Sequence, residues 1–393
     1  MSFSWEMIPL GELITLQRGH DLPSSRRVEG NIPIMGSSGI TGYHNEAKCV
    51  GEGVIVGRSG NSMGEISFIN EAYWPLNTCL YVTDFKGNDP KYIYYLLKTV
   101  NFDQFNSGSA QKSLNRNAVY PFEVHATKDK KLQRKIGNAL SQLENKVTLN
   151  FQTNQTLEEM AQAIFKSWFV DFDPVKAKMN GEQPEGMDAA TASLFPEKLV
   201  ESELGLIPDG WELTNIGKVS ECFDKKRIPL SKRQREQKQG SIPYYGATSV
   251  MDYVDEAIFD DIYLLIGEDG SVMKDDGTPF IQYIWGPAWV NNHAHVLQGI
   301  KSVSTEQLML FFQQTNINAY VTGAVQLKIN QRNMNSIPFI KAPKEINERF
   351  YDVVAPLYAK IRAIKEENEQ LAKLRDTLLP KLLSGEIELV EQS

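Results

Sequence analysis

Six polar loops hinged on glycine carry the side chains that could do chemistry in this chain. Three lie near the start: Gly36-Ser37-Ser38-Gly39, Gly57-Arg58-Ser59-Gly60-Asn61, and the run from Gly108 to Arg116, which holds Gln111, Lys112 and Asn115. Three lie far downstream: Gly246-Ala247-Thr248-Ser249, Gly267-Glu268-Asp269-Gly270-Ser271, and the run from Gly323 to Arg332, which holds Gln326, Lys328 and Asn330. Arginine matches the paired acceptors of guanine, asparagine and glutamine match adenine, and a carboxylate accepts from cytosine. Glycine lets backbone amides approach phosphates. Ser37, Ser38, Arg58, Ser59, Asn61, Gln111, Lys112, Asn115, Arg116, Thr248, Glu268, Gln326, Lys328, Asn330 and Arg332 are therefore candidate contacts to double-stranded DNA. Each would serve equally as the tip of an ordinary hairpin. A basic stretch, Lys225, Lys226, Arg227, Lys232, Arg233, Arg235 and Lys238, holds seven cations against one acid after Asp224. It suits phosphates, or forms a solvated loop.

Catalytic constellations are missing from the sequence. It has no G-x-x-x-x-G-K-[ST] for nucleotide phosphates, no G-x-S-x-G elbow and no H-E-x-x-H. Gly51-Glu52-Gly53 lacks the spacing of a dinucleotide fingerprint and reads as a turn. His293 and His295 would share one face of a strand and could hold a metal, yet no third ligand is near in sequence. Packing or a base-edge contact is the better reading. Asp260-Asp261 and Asp275-Asp276 read as solvated turns rather than a nuclease centre. Cys49, Cys79 and Cys222 form no C-x-x-C pair, which fits free thiols in a reducing cytoplasm.

The loops recur because the chain repeats itself. Trp5-Glu6 returns as Trp211-Glu212, Ile32-Pro33 as Ile242-Pro243, Trp74 with Asn77 as Trp289 with Asn292, and Gly108 with Gln111 as Gly323 with Gln326. The shift is too long for a solenoid unit of roughly 20–50 residues, so it marks two whole domains. Glycine-bounded apolar runs such as Val54-Ile55-Val56-Gly57 and Leu264-Leu265-Ile266-Gly267 read as strands, and a helical stretch follows in each copy. Each copy then ends in a heptad helix. Leu140, Leu143, Val147, Asn150, Asn154, Leu157, Ala161, Ile164 and Trp168 alternate steps of three and four, as do Val354, Leu357, Ile361, Ile364, Asn368, Leu371, Arg375, Leu378 and Leu382. Asn154 and Asn368 share one heptad position, where a buried asparagine would fix register; the alternative is a wet seam edge.

The predicted fold is α+β: two globular mixed α/β domains with bent, mainly antiparallel sheets, joined through two long helices forming an antiparallel coiled coil with pseudo-twofold symmetry. The expected segments are a first domain at 1–131, a helical region at 132–172, an acidic linker at 173–205, a second domain at 206–342 and a second helical region at 343–393. The net charge of −8 sits mainly in the stretch 169–205, which holds 3 basic and 8 acidic side chains, so the two domains are near neutral. A local basic face on either domain remains possible. No stretch approaches the roughly 20 apolar residues of a membrane span.

At this point the chain resembles the specificity subunits of type I restriction-modification enzymes over its whole length. The resemblance rests on Ser167-Trp168-Phe169-Val170-Asp171-Phe172-Asp173-Pro174-Val175, on Gly205-Leu206-Ile207-Pro208-Asp209-Gly210-Trp211, on the two glycine-led runs leading to Pro121-Phe122 and Pro338-Phe339, and on Leu378 to Ile387. It implies a non-catalytic cytoplasmic subunit without a cofactor of its own. Each domain would read half of a split, asymmetric target, and the helices would set the gap and dock two methyltransferase subunits, which bring S-adenosylmethionine. Restriction subunits, using ATP and magnesium, would join, so that the complex methylates adenine and cuts DNA. The acidic Lys344-Glu345-Ile346-Asn347 departs from Lys131-Leu132-Gln133-Arg134 at the corresponding point. A two-domain adaptor for protein partners is the competing reading. A self-sufficient methyltransferase lacks support, because neither N-P-P-Y nor D-P-P-Y is present.

Overall fold

In a computed structural model, residues 5–109, 111–323, 326–387 and 389 are described. Ala110, Ala324 and Val325, from the two longest candidate loops, lie outside them. The chain divides into two compact units, Met1–Phe151 with Lys365–Ser393, and Gln152–Ile364. Each expected globular domain therefore takes part of both long helices into its own unit.

In the first unit, the strands Thr15–Arg18, Cys79–Asp84, Gly53–Gly57 and Ile66–Ile69 form an antiparallel sheet in that order. A second sheet joins Gly39–His44, Ile32–Gly36 and Trp74–Pro75, the last pair parallel. The chain ends of the domain meet in a ribbon of Trp5–Pro9 and Glu123–Thr127. All five residues of Gly53–Gly57 are buried, as a continuous apolar run requires of a central strand. The helix Pro90–Lys98 starts where Asp89 accepts from the Tyr92 amide, with proline at the first turn. It buries Tyr92, Ile93, Leu96 and Leu97 with Val54, Val56 and Leu80.

The second unit repeats this order. Ser220–Cys222, Ala294–Gly299, Tyr263–Gly267 and Ile281–Ile284 form the four-stranded antiparallel sheet. Val250–Val254, Gln239–Tyr245, Pro287–Val290 and Phe259–Asp260 form the other, and Glu212–Asn215 pairs with Pro338–Lys341. Register repeats too: Ile55 faces Tyr81 as Leu265 faces Val296, and the parallel pair Ile34 and Trp74 becomes Tyr244 and Trp289. The bent sheet of the sequence reading is thus realised as separate sheets in each unit.

The long helices run from Lys130 to Phe169 and from Lys344 to Ser384. Every seam position named above is buried or half-buried. In the first unit Leu132, Ile136 and Leu140 join one core with Leu382 and Leu383, and in the second Ala161, Phe165 and Trp168 join Phe350, Val354 and Ile361. Both pairings are antiparallel, since early residues of one helix meet late residues of the other.

The acidic stretch, expected as a linker with at most short ordered pieces, carries such pieces and docks them. Helices Asp173–Met179 and Ala189–Ser193 and the hairpin Leu199–Ser202 with Gly205–Pro208 are ordered. Val175 and Phe195 are buried in the second unit's core beside Trp211, and Arg349 donates to Asp188 and Thr191. Sparse apolar residues decide its placement over its charge. No helix among the described residues is long and apolar enough to cross a membrane.

Candidate nucleic-acid interface

Two of the three loops of the first domain, far apart in sequence, meet through their backbones beside Thr78, and the first reaches them through a side chain. The Arg58 amide donates to Thr78, the Gly60 amide to Lys112, and the Leu114 amide to Arg58, all through carbonyl oxygens at 2.8–3.0 Å. The Ser37 hydroxyl donates to the same Thr78 carbonyl. Only glycine fits at position 57, where an added Cβ would lie 2.0 Å from the Ser62 oxygen and 2.7 Å from that of Ser37. The junction borders an open groove of about 690 Å³ lined by Gln17, Arg18, Arg58, Leu80, Ser113, Asn115 and Arg116, among others, with no carboxylate in its wall. Arg58 is anchored through Nη1 to the Asn77 carbonyl at 3.0 Å and Arg116 through Nη1 to the Leu16 carbonyl at 2.9 Å. Three guanidinium groups facing one groove make a site for paired acceptors, phosphate or the guanine edge.

Of the residues expected here, Arg58, Asn115 and Arg116 line the groove. The Asn115 side chain is taken up in part as the cap of Arg116–Val119, accepting from the Asn117 amide. Ser38, Asn61, Gln111 and Lys112 are exposed and Ser59 half-buried, outside the groove wall, and Lys112 pairs with Asp103 at 2.7 Å. The sequence reading missed Gln17 and Arg18, which close the opposite side. Their signal was available: Gln17-Arg18-Gly19 is a polar run ending a strand at a glycine.

The second domain builds the same junction with opposite charge. The amides of Glu268, Gly270 and Ile329 donate to the carbonyls of His293, Leu327 and Glu268 at 2.8–2.9 Å. Strand register places Asp224 where the first domain has Arg18, Glu268 where it has Arg58, and His295 where it has Leu80. Arg227 bridges the two carboxylates, 2.6 Å from Glu268 and 3.2 Å from Asp224, with all three side chains 11–14% exposed. The buried His295 lies 2.5 Å from Asp224 through Nδ1 and 2.9 Å from the Ile329 carbonyl through Nε2. Burial would raise the Asp224 carboxyl, but the His295 hydrogen bond and the Arg227 charge outweigh it and hold it below the usual range. Cys222, Asp224 and His295 bring potential metal-ligand atoms within 4.8 Å of one another. Arg227 already neutralises that carboxylate, and burial pushes the Cys222 thiol up to about 12, so the sulfur is protonated at neutral pH.

A family model described as "Type I restriction modification DNA specificity domain" matches twice, over residues 4–159 and 208–373. The chain belongs to the type I restriction-modification DNA specificity family. It is 29% identical over 313 residues to the HindI specificity subunit of Haemophilus influenzae, covering 66% of this chain and 68% of that one. It is 23% identical over 327 residues to the MjaIX specificity subunit of Methanocaldococcus jannaschii, covering 77% and 70%. The type I S subunit from M. genitalium shares the fold at a TM-score of 0.63 and 17% identity, covering 99% of this chain and 98% of that one. The chain is thus a specificity subunit with two DNA recognition domains, and the adaptor reading is not favoured.

The basic stretch of the second domain is split by its folding. Arg227 and Arg235 turn inward, Arg235 onto Asp252 at 2.9 Å and the Leu230 carbonyl at 2.7 Å. Lys225 and Arg233 are exposed without an ion pair among the described residues, Lys226 lies over the Phe223 ring, and Lys232 is 84% exposed beside Glu236. Thr248, Gln326 and Arg332 are exposed. Lys328 lies 3.6 Å from Glu268, and Asn330 caps Gln331–Asn335. In the seam Asn368 accepts from Asn150 at 2.8 Å, while Asn154 donates to the Ile361 carbonyl at 3.5 Å with its buried Oδ1 unpartnered.

Proposed function

We propose that each recognition domain reads one half of a split, asymmetric DNA target, and that the long helices set the unread gap and dock two methyltransferase subunits. The observation carrying this reading is the matched junction: two loops joined to each other and to the segment opposite by equivalent backbone bonds in both domains, with arginines at the site in one and carboxylates in the other. A common frame suits two identical partners, and unlike side chains suit two different half-sites. The chain contributes no catalytic group; S-adenosylmethionine belongs to the methyltransferase, and ATP and magnesium to the restriction subunits that complete the endonuclease. A helix of 40 residues measures about 60 Å at ~1.5 Å per residue, long enough to serve half-sites about one duplex turn apart, ~34 Å. Inserting one heptad in each helix is expected to lengthen the gap and leave the half-site bases unchanged. Single-molecule mapping of methylated sites in the reconstituted complex tests this; changed bases with an unchanged gap would sink it.

A further inference from the structure

Resting on that reading, the groove of the first domain also points to what it reads. Depth sorts its three arginines. The Arg18 side chain is 55% exposed, with Asp21 no closer than 4.0 Å, and Arg116 is exposed at the rim. Arg58 lies further in, half-buried beside Leu80, which is 2% exposed, with its main chain fixed on both sides by Thr78 and Leu114. A duplex carries its phosphates outermost and its base edges within the grooves, so rim cations meet phosphates and the inner one meets a base. One Arg58 nitrogen is held by the Asn77 carbonyl, which fixes the plane of the fork and lessens the ordering needed on binding. Its remaining N–H groups are donors without an acceptor function. Among the major-groove edges only guanine offers two adjacent acceptors, O6 and N7; adenine and cytosine each present an amino donor, and thymine a single acceptor beside a methyl.

We propose that Arg58 reads a guanine in the half-site of the first domain, with Arg18 and Arg116 on flanking phosphates.

The test is methylation mapping of the complex reconstituted from the full chain and its methyltransferase subunits. The wild type should give a split motif with guanine at a fixed position in one half. Arg58→Gln and Arg58→Lys should each lower discrimination at that position by about ten- to a hundredfold, leaving the other half untouched. Lysine keeps the charge and loses the fork, so it separates base reading from phosphate binding even where glutamine disturbs folding. Arg18→Ala and Arg116→Ala should lower methylation at all sites, keep the motif, and each reduce the salt dependence of binding by about one counterion. The proposal is overturned by a split motif lacking guanine in the responding half, or by Arg58→Lys methylating the wild-type motif with undiminished discrimination. A wild-type complex with no split motif would overturn the functional reading itself, and this inference with it.

Discussion

The arginine groove of the first domain and the buried charge network at the same place in the second are built on one backbone. Residue 58 and residue 268 each donate an amide to the strand opposite and accept from the third loop, and the amides of Gly60 and Gly270 complete both junctions. None of these bonds involves a side chain, so the frame survives any substitution that keeps the glycines and the register. What differs is the cost of the charges. In the first domain the guanidiniums lie along an open groove, Arg58 and Arg116 tied to backbone carbonyls and Arg18 exposed 4.0 Å from Asp21. In the second, two carboxylates are nearly buried and depend on Arg227 and His295. The same position holds an arginine with one tie to the fold in one copy and a carboxylate locked in a buried network in the other.

Breaking that dependence should give the largest effect. Arg227→Met leaves Asp224 and Glu268 buried without their shared cation, and removal of one partner from a buried pair costs about 3–5 kcal/mol. Denaturant unfolding, with hydrogen exchange to locate the change, should show the loss in the unit Gln152–Ile364. Arg58→Met in the other domain should cost about 1 kcal/mol, one hydrogen bond to a carbonyl. Equal losses would refute the distinction. Acid sharpens it. Asp224 is held below its ordinary range in the fold, so it adds stability above about pH 4, where the unfolded carboxyl is ionised. That increment is lost as pH falls through the lower folded value, and Asp224→Asn should flatten this acid limb.

Two asparagines one turn apart near the middle of the first long helix make a second comparison. Asn150 donates to both Asn368 and Glu367 at 2.8 Å, whereas Asn154, 5% exposed, has only a 3.5 Å contact to a carbonyl and an unpartnered Oδ1. Ile364 stands at the repeat position of Asn150, so the polar pair on one side becomes an asparagine with an isoleucine counterpart on the other. Asn150→Leu should cost about 1–3 kcal/mol by stranding its acceptors, while Asn154→Leu should be neutral or stabilising, because it removes a polar atom that the fold leaves unsatisfied. Thermal melts of the two variants decide between them; a comparable loss in both would show that Asn154 has a partner in solution.

The repeat, the strands, the two helices and the loops that meet at the junction were legible because they depend on local pattern: glycine bounds, alternating runs and heptad spacing. The failures share a cause. Whether Arg227 faces solvent is decided by Glu268, 41 positions on, and by a histidine beyond it, and no window of sequence contains all three. Asn154 and Asn368 share one heptad position, but which residue each meets depends on the antiparallel seam, which sets Asn368 against Asn150. Arg18 ends a strand, away from the glycine-hinged loops, so loop chemistry does not point to it. The stretch 173–205 looked like a linker by composition, yet Val175 and Phe195 were enough to dock it.

The smallest effect concerns the basic stretch, which sequence treated as one patch and the structure divides. Lys225 and Arg233 are exposed cations, while Arg235 is committed to Asp252 and the Leu230 carbonyl and stacks 5.2 Å from the Tyr244 ring centre. A cation on a phosphate releases about 0.9 of a counterion on a duplex. Lys225→Ala and Arg233→Ala should each flatten the dependence of log affinity on log salt by roughly that amount, weaken binding to all sequences alike and leave unfolding unchanged. Arg235→Ala should do the reverse, lowering the unfolding midpoint with an unaltered slope. Fluorescence titrations of the reconstituted complex across a salt series read the slope directly. A change in slope for Arg235→Ala alone would mean that the inward arginine, and not the exposed pair, faces the duplex.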